Sequence, residues 1–107
     1  MNLSEYQLAA ARTLPRRDFD DNLGMAAMGA AGEAGEVLEL AKKYLYHAHD
    51  LDQDLLRKEI GDVLWYVAAL CTVLGYDLAE VAQENLDKLS ARYPDGFDPE
   101  KSRNRAE

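Results

Sequence analysis

Cysteine, aromatic residues, positive charge and long apolar runs are all scarce in this 107-residue chain. A single cysteine, Cys71, excludes an internal disulfide and provides no zinc cluster. Aromatics make up only 8% while Ala, Leu and Glu are plentiful, a balance that favours helix over sheet. There is no alternating strand pattern of useful length, no internal repeat and no low-complexity tract. No apolar run is long enough to span a bilayer, and the N-terminus lacks the hydrophobic segment of a signal peptide, so a soluble cytoplasmic protein is expected. With 12 basic against 20 acidic residues the formal charge is −8. Such a surface repels nucleic-acid polymers and acidic membranes, and it suits a protein that gathers divalent cations.

The length allows one domain, and at this size a second copy would help to bury apolar surface. Four helices can be read. The first is expected from Ser4 to Thr13, with Ser4 and Gln7 as a capping box, and Pro15 breaks the pattern after it. The second starts after Asp20 or Asp21 and continues to about Tyr46. Asp52 caps the third, which stops at Gly75. Asp77 caps the fourth, with Glu80 completing a capping box, and Pro94 ends it near Tyr93. The expected architecture is an all-α antiparallel bundle of four main helices over 1–94, followed by a charged tail over 95–107.

Carboxylates interrupt this pattern. In the third helix the apolar positions 55/56, 63, 66/67, 70 and 74 form a core-facing stripe, and Glu59 falls inside it. Asp62 follows three residues later on the same side. In the second helix Glu33 and Glu36 repeat the spacing, with Glu36 aligned with Gly29, Gly32 and Leu40, the side expected to pack. Acidic side chains are rarely buried alone, because desolvating a carboxylate is costly. Two such pairs facing each other would repel unless cations sit among them. Oxygen ligands without cysteine or suitably placed histidine point to Mg2+, with Mn2+ as a substitute. Gly32, Gly35 and Gly61 each adjoin an acid. Every mid-helix glycine costs about 1 kcal/mol against alanine, which predicts close approach of the two helices there.

The fourth helix offers the opposite charge. Asn85, Lys88 and Arg92 share one ridge, and an amide, an ammonium and a guanidinium make a phosphate clamp. Other residues invite weaker readings. Tyr6 and Gln7 could line a base pocket; Trp65 and Tyr66 read as core that could also stack on a base. Lys42, Lys43, His47 and His49 read as surface, Cys71 as core, and Lys101, Arg103 and Arg105 as a tail that could close over phosphates.

Taken together these residues resemble the MazG-like all-alpha nucleoside triphosphate pyrophosphohydrolases over most of the chain, from Tyr6 to about Arg105. The resemblance rests on Gly32-Glu33-Ala34-Gly35-Glu36-Val37, on Glu59-Ile60-Gly61-Asp62-Val63-Leu64-Trp65-Tyr66, and on Asn85-Leu86-Asp87-Lys88-Leu89 followed by Arg92-Tyr93-Pro94. It implies hydrolysis of a (d)NTP to a (d)NMP and pyrophosphate, with house-cleaning of non-standard nucleotides as one role. It also implies that Glu33, Glu36, Glu59 and Asp62 ligate magnesium, and that Asn85 and Lys88, with Arg92 and Tyr93, contact the substrate. Glu36 or Glu33 would act as general base, and the assembly would be a homodimer or a dimer of dimers. The competing reading is a non-catalytic helical module that binds a nucleotide or a cation for regulation.

Overall fold

The computed structural model describes residues 1–105. Among them every regular element is helical: α1 (Leu3–Ala10), a 3-10 turn (Ala11–Thr13), α2 (Phe19–Tyr46), α3 (Gln53–Leu74), α4 (Leu78–Arg92) and the short α5 (Pro99–Arg103). The all-α class with its four long helices is as expected. No single helix is long and apolar enough to cross a membrane.

Local chemistry sets each boundary. The α1 cap is Asn2, not Ser4: Asn2 Oδ1 accepts the Glu5 N–H at 2.8 Å, and the Glu5 carboxylate accepts the Asn2 N–H at 3.3 Å. Ser4 and Gln7 fail as a box because both side chains are used elsewhere. Ser4 Oγ donates to Asp77 Oδ1 at 2.9 Å, and Gln7 bonds the far end of α3. Helix α2 begins two or three residues earlier than the sequence suggests, since Asp18 Oδ1 takes the Asp21 N–H at 2.8 Å. Asp20 and Asp21 thereby fall in the first turn, where the helix dipole favours them. Asp52 caps α3 through the Leu55 N–H at 3.0 Å, as expected. That helix ends in a Schellman turn at Gly75 (φ 77°), where Tyr76 N–H bonds Cys71 O and Gly75 N–H bonds Thr72 O. Asp77 caps α4 through the Ala79 N–H at 3.1 Å.

Helices α2 and α3 form an antiparallel hairpin. Its register is read from Gly29, which lies against the Tyr66 ring, and from Glu33, which lies opposite Asp62. Helix α1 crosses the end of the hairpin and is tied there by Gln7. Its amide nitrogen donates to Thr72 Oγ1 (3.2 Å) and Tyr76 O (2.8 Å), and its oxygen accepts the Leu78 N–H (2.7 Å). At about 1 kcal/mol net per bond, this knot holds the α3–α4 corner. The base-pocket reading of Gln7 is thereby overturned, because its donors and acceptor are committed to the backbone and to Thr72. Trp65 likewise has a structural bond, Nε1 donating to Thr13 Oγ1 at 2.8 Å, while its ring meets Tyr66 edge-on.

The core is thin. Its buried apolar residues are Ala26, Ala68, Ala69, Cys71 and Leu78, with Tyr6 and Val67 packed partly against the cluster of Ala68, Cys71 and Leu78. The expected α3 stripe is only half covered, and Leu55 and Leu74 at its ends are exposed. Burial is deepest instead at positions 68, 69 and 71, where α1 and the 3-10 turn also pack against α3. Helix α4 turns 105° away from α3 and packs mainly on α1. Every residue from 83 to 91 is exposed, Leu86 (56%) and Leu89 (39%) included. The radius of gyration is 16.8 Å, against about 13 Å for a compact domain of this length.

Candidate metal centre

The inner face of α2 runs through Asn22, Ala26, Gly29, Glu33 and Val37, all of them covered at least in part. Its partner face on α3 carries Leu56, Glu59, Val63 and Tyr66. Both faces therefore bring a glutamate into a contact that is otherwise mostly apolar. Oxygens of Glu33, Glu59 and Asp62 all lie within 4.8 Å of one another. Glu59 occupies the stripe as its spacing suggested, and Asp62 approaches from the exposed flank.

Glu36 departs from expectation. Its spacing from Gly29 and Gly32 predicts the packed side of α2, yet it is exposed and stands outside the converging trio. On a helix, a step of three residues rotates a side chain by about 60° from its starting direction. With Glu33 aimed at α3, Glu36 is left on the rim, near enough for its charge to act on Glu33.

The electrostatics match this crowding. The Glu33 carboxyl is raised from 4.5 to about 7, first by a hydrogen bond shared with Glu59 and next by desolvation. Repulsion from Glu59, Asp62 and Glu36 adds to the shift. Without a cation the cluster thus retains a proton near neutrality. The donor set consists of carboxylate oxygens with no sulfur or imidazole among them, which fits a hard divalent cation such as magnesium or manganese.

The glycines behave differently from expectation. A Cβ at Gly32, Gly35 or Gly61 would meet nothing within 4 Å, so these three do not mediate the α2–α3 approach. Gly29 does, because a Cβ there would collide with the Tyr66 ring. The close approach lies one turn before the acids, where the bulkiest side chain of the α3 face crosses α2.

The α4 residues stand apart from the acids. Along α3, Glu59 is roughly 22 Å from Leu74, and along α4, Lys88 is roughly 15 Å from Leu78, at about 1.5 Å per residue. With 105° between the helices, the carboxylates and the Asn85–Lys88–Arg92 ridge of one chain are about 20 Å or more apart. Asn85 and Lys88 are exposed, and the Arg92 guanidinium lies 5.9 Å from the centre of the Tyr93 ring. Tyr93 in turn contacts Phe97 at 5.3 Å between ring centres. Among the weaker candidates, Lys42 pairs with Glu39 at 3.1 Å on the surface and Cys71 is buried. The tail is partly ordered as α5; Ala106 and Glu107 lie outside the described residues.

Sequence reasoning missed two features. Asn22 is buried and ties the preceding loop to α2, its amide donating to Pro15 O (3.2 Å) and Arg17 O (3.4 Å). Its place one helical turn before Ala26, on the line that leads to Glu33, was the available signal. The Gln7 knot had none, because its partners are more than sixty positions away in the chain.

Residues 25–97 match the family model for the MazG nucleotide pyrophosphohydrolase domain, a span that includes all four acids and the whole α4 ridge. The chain is also similar to the Gene 37 protein of Mycobacterium phage L5, at 39% identity over 101 residues covering 86% of this chain and 89% of that protein. No solved structure matches. With more than half its length in that match, this chain belongs to the MazG nucleotide pyrophosphohydrolase family.

Proposed function

We propose that the chain is a magnesium-dependent nucleoside triphosphate pyrophosphohydrolase that converts a (d)NTP to a (d)NMP and pyrophosphate. The observation that carries this reading is the convergence of Glu33, Glu59 and Asp62 within 4.8 Å at the α2–α3 contact. These three would hold the cation, with Glu33 as a ligating carboxylate whose shared proton would pass to solvent. Bound magnesium would neutralise the phosphate chain and lower the pKa of a nearby water. Glu36, one turn from Glu33 and open to solvent, accepts the proton of the attacking water. Asn85, Lys88 and Arg92 hold phosphoryl oxygens and stabilise the charge that builds on them.

The separation of ridge and acids supports a homodimer or a dimer of dimers, in which α4 of one chain serves the carboxylates of another. The thin core, the exposed Leu86 and Leu89, and the open space over Gly32, Gly35 and Gly61 agree with this arrangement. Pyrophosphate release from a panel of ordinary and modified triphosphates, with and without magnesium, tests the activity. Release should require magnesium and fall about a hundredfold or more in Glu59→Ala, a direct ligand being worth at least as much as its supporting shell. The helical circular dichroism of that variant should be unchanged. Tight nucleotide binding without product at any magnesium concentration would instead identify a regulatory binding module.

A further inference from the structure

After α4 the chain reverses. Gly96, at φ 95°, closes a turn by donating its N–H to Tyr93 O at 3.1 Å, and the Tyr93–Phe97 ring contact clasps it. Only glycine takes that backbone conformation without strain. Asp98 then caps α5 through the Glu100 N–H at 2.9 Å, and α5 lines one opening together with the end of α4. Between the two helices lies a cleft of about 710 Å³, within the range of small-molecule sites.

The charge of this cleft is opposite to that of the protein. Its described lining includes Lys88 and Arg92 from α4, and Lys101 and Arg105 from α5 and its end, against Asp98 and Glu100. Asp98 is already engaged as the α5 cap. A chain of net charge −8 thus concentrates four of its 12 basic residues around one opening. Two cations spaced four apart on each side, two of them arginines able to grip a pair of oxygens, fit a short polyanion better than a single carboxylate.

We propose that the α4–α5 cleft grips the pyrophosphate end of the substrate, with Lys101 and Arg105 as binding residues alongside Lys88 and Arg92. The proposal rests on the pyrophosphohydrolase reading above and adds the tail helix to its substrate site. On this account the tail sets substrate affinity and product retention, and the acids set the rate of the chemical step.

The test uses the full chain carrying Lys101→Ala and Arg105→Ala together. KM for the triphosphate and the inhibition constant of inorganic pyrophosphate should each rise about tenfold, with kcat within about twofold of the parent. The stabilisation conferred by magnesium alone should be unchanged, and Lys101→Arg with Arg105→Lys should restore KM. Unchanged KM and pyrophosphate inhibition in a protein that still turns over would overturn the cleft assignment and leave the activity intact. If the parent releases no pyrophosphate, the activity reading fails, and calorimetry with inorganic pyrophosphate decides the cleft separately. Binding lost in the double variant supports it, and equal binding overturns it.

Discussion

The α2–α3 hairpin and the α4–α5 arm divide the protein into two unlike halves. The hairpin is acidic where it matters, closely paired, and packed so tightly at Gly29 that no side chain fits beside Tyr66. The arm is basic along its cleft, turned 105° away, and exposed over the whole of residues 83–91. Each half alone has the wrong chemistry for a triphosphate. Carboxylates repel phosphate until a cation intervenes, and a basic cleft binds phosphate without activating water. Under the proposed function, a second copy of the chain would bring the two chemistries together.

The largest expected effect comes from breaking that union. Leu86→Asp, at an exposed position of α4, should reduce the solution mass measured by light scattering to that of one chain and take magnesium-dependent turnover to background. Mixing Glu59→Ala with Lys88→Ala gives the sharper result. If each site takes acids from one chain and its ridge from the other, random pairing in a symmetric dimer regains about a quarter of parental activity. Ridge and acids drawn from one chain would instead leave the same mixture inactive.

A smaller effect probes the hairpin alone. Gly29→Ala should lower stability by about 1–3 kcal/mol, because the Tyr66 ring must move to admit a methyl group. Gly32→Ala, with open space above it, should leave the chain's stability unchanged or raise it by up to about 1 kcal/mol. Thermal melts of the two variants, side by side, check the contrast.

The smallest effect is the pH response of the acids. Glu33 binds its proton more tightly in the folded state, at about 7, than in the unfolded chain, at 4.5. Between those values the folded state holds more protons, so without metal the melting temperature should fall as pH rises through this window. Below 4.5 and above 7 this contribution should be flat. Saturating magnesium should reverse the trend, since the cation binds the deprotonated cluster. Glu33→Gln should remove the slope, and melting curves from pH 4 to 8 with and without magnesium would show it.

Much of this was legible in the chain itself. Asp52, Gly75 and Asp77 marked helix ends by chemistry that is local, a side-chain acceptor for an orphan N–H or a left-handed turn. Glu59 stood out because a carboxylate within an apolar period needs a reason. Ser4 misled for an equally physical cause: two caps of similar local merit competed, and a distant partner, Asp77, took the hydroxyl.

By itself, then, the sequence determined the helical class, most boundaries, and the presence of four acids at paired spacing on α2 and α3. Only the tertiary structure decided which three converge, because the facing of a helix depends on what it packs against. Gly29 seated on Tyr66 fixes the rotation of α2, and that rotation aims Glu33 inward and leaves Glu36 on the rim. The structure likewise decided that α4 stands away from the acids, since the Gln7 bonds and the Gly75 turn set the corner through contacts far apart in the chain.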